Sequence, residues 1–413
     1  MTHTRIAAPG SMAVDFEQRV DFARLREYRL SRTRAALEAS ELGAVLLFDM
    51  HNVRYTSSTH LGEWARDKLT RFCLLTRTGE PYVWDFGSAA KHHQLFCPWL
   101  PEGHARAGLV GLRGAIAPEA GLFTRAAKEI RSILAEEDVA GTPIGLDVAE
   151  LPMIEALTAE GLQVRDAQQV MLDAREIKSP DEIILLSQSA AMVDGVYQLI
   201  AEELKPGVRE NEIVGIANEY LYRRGSDHVE AINAVSGERC NPHPHVFSDR
   251  LIRPGDQAFF DIIQAFMGYR TCYYRTFNVG RATTSQHDAY KQAREWIDTA
   301  ISLVKPGQTT DVIARSWPRA QDFGFPDEMS CFGLQFGHGV GLGLHERPIV
   351  SRLNSLDHPQ ELKEGMVFAL ETYCPASDGT SAARIEEEVV VTADGCEVIT
   401  LFPADELFIA NAY

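Results

Sequence analysis

Asp261 lies in QAFFDIIQAF, an apolar run that otherwise reads as a core strand, and a carboxylate buried there is costly unless paired or metal-bound. With Met267 and Gly268 in the turn of a hairpin, the expected register sets Cys272 opposite Asp261, a thiol facing a carboxylate. Glu371 repeats the anomaly in GMVFALETYC. In RIEEEVVVT, alternation places Glu386 and Glu388 on one face and Glu387 on the other; a charge run ordinarily marks a solvated face, and Glu386 gains weight from its company. FGHGVGLGLHERP carries His338 and His345, and five glycines between 333 and 343 allow close backbone approach without the Gly-Lys ending of a phosphate loop. CNPHPHVF adds His243 and His245 in a proline-kinked loop. Buried acids, a histidine and a cysteine from separate segments suit a divalent metal, and imidazole with carboxylates fits iron, zinc or manganese.

These residues need strands to hold them, and the chain supplies an α/β (α+β) pattern. FARLREYRLSRTRAALEAS has apolar positions at helical spacing and runs into the strand GAVLLFD; further strands at 71–76, 80–86 and 143–148 alternate with a helix at 124–137. Ser179 before Pro180, with Asp181 and Glu182 after it, signals a helix start. The chain therefore divides into domains 1–175 and 176–413. In the second, a helix runs into Lys-Pro-Gly and on into another helical pattern twice, at 205 and at 305, which points to two duplicated halves. Strand-rich segments between and after the echoes fit a curved antiparallel sheet flanked by paired helices.

Composition narrows the function. The 413 residues carry 40 Lys and Arg against 58 Asp and Glu, a net charge of −18. That balance repels a phosphate backbone, so nucleic acid is not an expected partner. The first twenty residues lack a basic start before an apolar run, and no stretch reads as a membrane span, so a cytoplasmic protein is expected. The 7 cysteines are scattered, with no close pairs, as in a reducing compartment.

At these residues the sequence resembles the pita-bread superfamily of creatinase, aminopeptidase P, prolidase and methionine aminopeptidase. The motifs are IKSPDEI, SGERCNP, the strand of Asp261, GYRTCYYRTF, GHGVGLGLHERP, ELKEGMVFALE and RIEEEVVVT. The resemblance implies a creatinase-like N-terminal domain and a C-terminal pita-bread domain with pseudo-twofold halves. It puts the metal-binding positions on Asp261, Cys272, His338, Glu371 and Glu386, with the second histidine of the pattern on His345. Cys272 stands where the metallopeptidases have an aspartate that bridges two metals, and a thiolate prefers softer ions, so at most about one metal per chain, or none, is expected. HNVRYTSSTHLGEW, YVWDF and SGERCNP resemble the dimethylsulfoniopropionate lyase branch. Ile263 and His345 depart from that branch, which has aspartates there.

The activity so implied is metal-dependent hydrolysis of a C–N bond in a small carboxylate-bearing substrate, in the manner of an Xaa-Pro dipeptidase or creatinase. His345, Glu371 and Glu386 would do the chemistry. The alternatives are β-elimination of the dimethylsulfoniopropionate type and metal-free hydrolysis like that of creatinase. His243 and His245 would line the pocket. The resemblance also implies a homodimer with shared active sites, to which the N-terminal domain contributes Trp64 and Arg71, the latter near the position of a carboxylate-binding arginine in creatinase.

Overall fold

The computed structural model describes residues 20–66, 70–108, 114–331 and 336–413. The reading of the first nineteen residues, part of the segment before Arg71 (67–69) and Gly333 fall outside them. Two compact units emerge among the described residues, Asp21–Arg175 and Glu176–Tyr413.

In the first unit, helix α1 (Phe22–Ala39) starts on the Asp21 side chain, which accepts from the Ala23 and Arg24 N–H groups and so satisfies two of the donors a helix start leaves open. Six strands follow, β1 (Ala44–Leu47), β2 (Phe72–Thr76), β3 (Tyr82–Asp85), β4 (Ala105–Ala107), β5 (Ile144–Leu146) and β6 (Val164–Asp166). They form one mixed sheet in the order β4-β3-β2-β1-β5-β6. Helices α2 (Met50–Ser57), α3 (Gly87–Phe96), α4 (Leu122–Glu136), α5 (Leu151–Ala159) and α6 (Gln168–Arg175) complete the unit. Leu46, Phe72 and Trp84 from the sheet pack with Ile130 and Leu134 of α4 and Leu157 of α5, an apolar stripe meeting an apolar sheet face.

The second unit opens with α7 (Pro180–Glu203), capped as its sequence requires: the Ser179 hydroxyl accepts from Glu182 N–H, and the Glu182 carboxylate accepts from Ser179 N–H. By length and composition α7 is long and apolar enough to cross a membrane, contrary to the sequence expectation, and half of its most apolar window is buried inside the unit. Its Val193, Val196, Tyr197 and Ile200 enter the same core as Ile213 and Leu221 of α8 (Glu210–Arg223). Under them lie β7 (His228–Ser236), β8 (Gln257–Phe266) and β9 (Tyr269–Val279). The second repeat brings α9 (Thr284–Ser302) and α10 (Thr310–Ser316), then β10 (Phe336–Gly339), β11 (Glu346–Val350), β12 (Val367–Glu371), β13 (Cys374–Pro375), β14 (Ala382–Ala383), β15 (Glu386–Val391), β16 (Cys396–Val398) and β17 (Phe408–Ala410).

The expected duplication is written into the backbone hydrogen bonds. Gly207 N–H donates to Ile252 and Gly307 N–H to Leu362; Glu210 N–H donates to Arg250 and Thr310 N–H to Gln360; Gly255 N–H donates to Val279 and Gly365 N–H to Val391. Isolated bridges match as well, Arg209 with Leu251 and Thr309 with Glu361. Both Lys-Pro-Gly glycines take positive φ, 94° and 79°, where a Cβ would be strained. Each repeat has its own core and sheet, β11-β10-β12-β15-β16 in the second and β9-β8-β7 in the first, to which the C-terminal segment returns, adding β17 beside β9 and Phe402 and Ala410 to its core.

Candidate metal centre

Cross-strand rows bring the chemistry together. In the first sheet Asn233, Asp261 and Tyr274 share one row across β7, β8 and β9, and Ala231, Ile263 and Cys272 the next row on the same face, two residues on. The sequence reading had placed Cys272 opposite Asp261. Met267 and Gly268 do form the turn, both with positive φ (49° and 88°), but a two-residue turn pairs Phe266 with Tyr269, so Asp261 faces Tyr274 instead. The displacement is two residues, which keeps every side chain on its face, and the Cys272 thiol still reaches Asp261 Oδ1 diagonally at 3.5 Å.

In the second sheet Phe336, Glu371 and Glu386 share a row, and His338, Ala369 and Glu388 the next row on the same face, two residues on. Glu386, Glu387 and Glu388 are all buried, so the charge run is no solvated face. Glu387 is met by Arg275 at 2.8 Å and Arg294 at 3.1 Å. Glu388 stitches the sheets together by accepting from Cys272 N–H (2.8 Å) and the Thr271 hydroxyl (3.0 Å).

Cys272, His338 and Glu386 each direct one ligand atom into a common volume, all within 4.8 Å of one another and all buried. His338 Nδ1 lies 3.2 Å from the Gly339 carbonyl, which fixes the proton there and leaves the Nε2 lone pair facing Glu386 Oε1 at 3.8 Å. Burial pushes His338 down to about 4, so the ring is neutral near pH 7, as a ligand must be. Glu386 is fully buried, and neither of its oxygens has a hydrogen-bond partner among the described residues. Burial, reinforced by the charges of Glu371 and Asp261, raises its carboxyl well above the usual range. The same burial pushes Asp261 up to about 6 and the Cys272 thiol well above its ordinary value. A cation among these acids would relieve their mutual repulsion. The donor set of thiolate, imidazole and carboxylate fits one of the softer divalent ions.

Two expected ligands are already engaged. Glu371 Oε2 takes a hydrogen bond from Arg384, which is itself buried with its guanidinium 4.0 Å from the centre of the Tyr274 ring. Asp261 Oδ2 accepts from Asn233 Nδ2 at 2.9 Å. His345 is exposed at the rim, its ring centre 4.5 Å from that of His338. His243 approaches the Tyr274 hydroxyl at 3.2 Å, and His245 stacks over it with ring centres 3.9 Å apart. Burial, then the Arg384 charge, pushes His243 down to about 2.

Trp64 and Arg71 belong to the other unit. Trp64 is 61% exposed and stacks on Phe86 at 5.3 Å. Arg71 is buried at 2% exposure rather than presented as an open fork; it bonds the Thr59 hydroxyl and faces Asp85 at 3.5 Å.

The sequence reading missed Tyr274, Arg384 and Asn233. A signal for two of them was present: counting by twos from Cys272 reaches Tyr274, and back from Glu386 reaches Arg384. Asn233 required the register of β7, which its own sequence does not encode.

The fold is that of solved peptidases. An Xaa-Pro dipeptidase from Bacillus anthracis superposes with a TM-score of 0.73 at 21% identity, covering 93% of this chain and 99% of that one. A prolidase from Thermococcus sibiricus gives 0.75 at 22%, covering 93% and 98%. In sequence, the dimethylsulfoniopropionate lyase DddP of Roseovarius nubinhibens is 27% identical over 404 residues, 93% of this chain and 87% of its own. The Xaa-Pro dipeptidase of Pyrococcus furiosus is 31% identical over 245 residues, 58% of this chain and 67% of its own. The model of metallopeptidase family M24 matches residues 185–393, a span that takes in both repeats and all the acids, the thiol and the imidazole gathered above: this chain belongs to metallopeptidase family M24.

Proposed function

We propose that the protein is a metal-dependent hydrolase of a C–N bond in a small carboxylate-bearing substrate, similar to Xaa-Pro dipeptidases. The observation that carries this reading is the buried Glu386 carboxylate, neither of whose oxygens has a hydrogen-bond partner among the described residues and one of which lies within 4.8 Å of ligand atoms of Cys272 and His338. Cys272, His338 and Glu386 would hold one iron, zinc or manganese ion, which when bound supplies Lewis acidity to a carbonyl. Charge supports a bound cation: the carboxylates of Asp261, Glu371 and Glu386 and the Cys272 thiolate outnumber the one positive charge of the Arg384 guanidinium.

Glu371, its Oε2 fixed by Arg384, keeps Oε1 to take a proton from the attacking water and return it to the leaving nitrogen. His345, at the rim, donates to the oxygen on which negative charge develops. His345→Ala should therefore lower kcat by on the order of 10²–10³ with a smaller change in KM. An effect confined to KM would reassign it to substrate binding.

A second reading is β-elimination like that of dimethylsulfoniopropionate lyase, favoured by the match to DddP, which spans 93% of the chain, whereas the curated dipeptidases cover 58–64%. The purified protein, loaded in turn with each metal, is given an Xaa-Pro dipeptide and, separately, dimethylsulfoniopropionate. Free proline supports hydrolysis, and volatile sulfide in the headspace without proline supports elimination. Full activity after chelation overturns both. The homodimer that the resemblance implies is part of the same proposal, and a solution mass of 45.9 kDa, that of one chain, would overturn it.

A further inference from the structure

The two repeats act as an internal control, because the same backbone framework is built twice and differs where one repeat does something extra. At the first residue of the helix after Lys-Pro-Gly, the second repeat has Thr310, whose hydroxyl accepts the Gln360 N–H at 3.0 Å. The first repeat has Glu210 at that place, with the same backbone bond to the returning strand. A carboxylate longer than the hydroxyl is unnecessary for that bond. Glu210 is fully buried, and its extra reach is spent on a loop.

Oε1 of Glu210 accepts from the Ser236 hydroxyl at 2.8 Å, where the loop departs. Oε2 accepts from Ser248 at both its N–H (2.9 Å) and its hydroxyl (2.7 Å), where the loop returns, and from Arg239 inside the loop. Arg239 in turn donates to the Val246 carbonyl at 3.1 Å. One carboxylate thus closes both ends of the segment 237–247, which holds His243 and His245. Within it, His243 Nδ1 accepts the His245 N–H at 3.3 Å, so its Nε2 carries the proton toward the Tyr274 hydroxyl, opposite Asp261.

We propose that Glu210 is a positioning residue that fixes the His243–His245 loop against Tyr274 and so sets the substrate-side wall of the metal centre. It touches no reacting atom. The proposal rests on the reading of that centre as the reactive site, but not on which bond is cleaved. A charged acceptor shared by four donors is among the stronger polar anchors available to a loop, and its isosteric amide cannot serve all four.

The test compares Glu210→Gln with Thr310→Val in the full chain, with the melting temperature of each confirming a folded protein. Carbethoxylation of His243 by diethyl pyrocarbonate, followed by peptide mass spectrometry, should accelerate about tenfold in Glu210→Gln and stay unchanged in Thr310→Val. Zinc stoichiometry, measured with zinc alone, should equal that of the parent protein in both. With whichever substrate is turned over, Glu210→Gln should raise KM about tenfold and change kcat less. Ser248→Ala, which removes one of the four donors, should move His243 labelling in the same direction by a smaller factor. Unchanged His243 labelling in Glu210→Gln, or equal acceleration in Thr310→Val, overturns the proposal. Because labelling needs no substrate, it decides the role of Glu210 even if neither substrate is turned over, the outcome that would count against the proposed reaction alone.

Discussion

Replacing Glu386 by glutamine should abolish turnover and metal retention while making the metal-free protein more stable. The side chain is fully buried on β15, and its two oxygens find no partner among the described residues. A buried, unsatisfied polar group costs about 1–3 kcal/mol, and more if charged. Glutamine keeps the shape and cannot ionise, which removes the cost near neutral pH of a carboxyl whose pKa folding raises, so the metal-free variant should melt higher by about 2–4 °C for each kcal/mol relieved in a unit of this size. Loss of an outer-shell partner alone typically costs about 10–100-fold in metal affinity or activity, and loss of a ligand should exceed that. Calorimetry with and without zinc, together with metal analysis, reads both effects. A variant that melts lower without metal and still holds its ion would show that Glu386 is structural.

Cys272→Asp should shift metal choice more than any other single change. The thiol sits 3.5 Å from Asp261 Oδ1 and within reach of His338 and Glu386. An aspartate there puts a second hard carboxylate beside Asp261, and like charges at that distance disfavour the metal-free state. Oxygen donors suit manganese, whereas thiolate suits zinc. Manganese affinity should therefore rise about tenfold or more, with occupancy moving above one ion per chain, and the preference for zinc should fall. Competition titrations with manganese and zinc measure this. An unchanged metal profile would mean that Cys272 only packs.

Much of this centre was legible in the sequence because a carboxylate inside an apolar strand is an energetic anomaly wherever it occurs. Asp261 and Glu371 stand out on that ground, Glu386 gains weight only from their company, and the Lys-Pro-Gly echo points to the repeats. What the pattern could not supply was pairing between segments. The hairpin register differed by two residues because the turn geometry sets the first pair, so Tyr274, not Cys272, became the neighbour of Asp261. Glu387 and Glu388 look solvated in sequence, and their burial depends on partners more than ninety residues away, Arg275, Arg294, Thr271 and the Cys272 amide. Likewise the sequence expectation of no membrane-length apolar stretch overlooks α7, whose apolar breadth serves the core of the first repeat.

The division of the candidate donors between the repeats has a consequence for how such a centre can exist at all. Asp261 and Cys272 come from the first repeat, and His338, Glu371 and Glu386 from the second. A single repeat, released as a separate polypeptide, would carry only a fragment of the donor set and would have to find its counterpart by diffusion. Joined in one chain, the two meet at an effective concentration that a short tether raises to the millimolar range. Fusion thereby frees each repeat from self-complementarity: both lend donors to the centre, while only the first turned the matching stretch of its framework into a histidine-bearing wall.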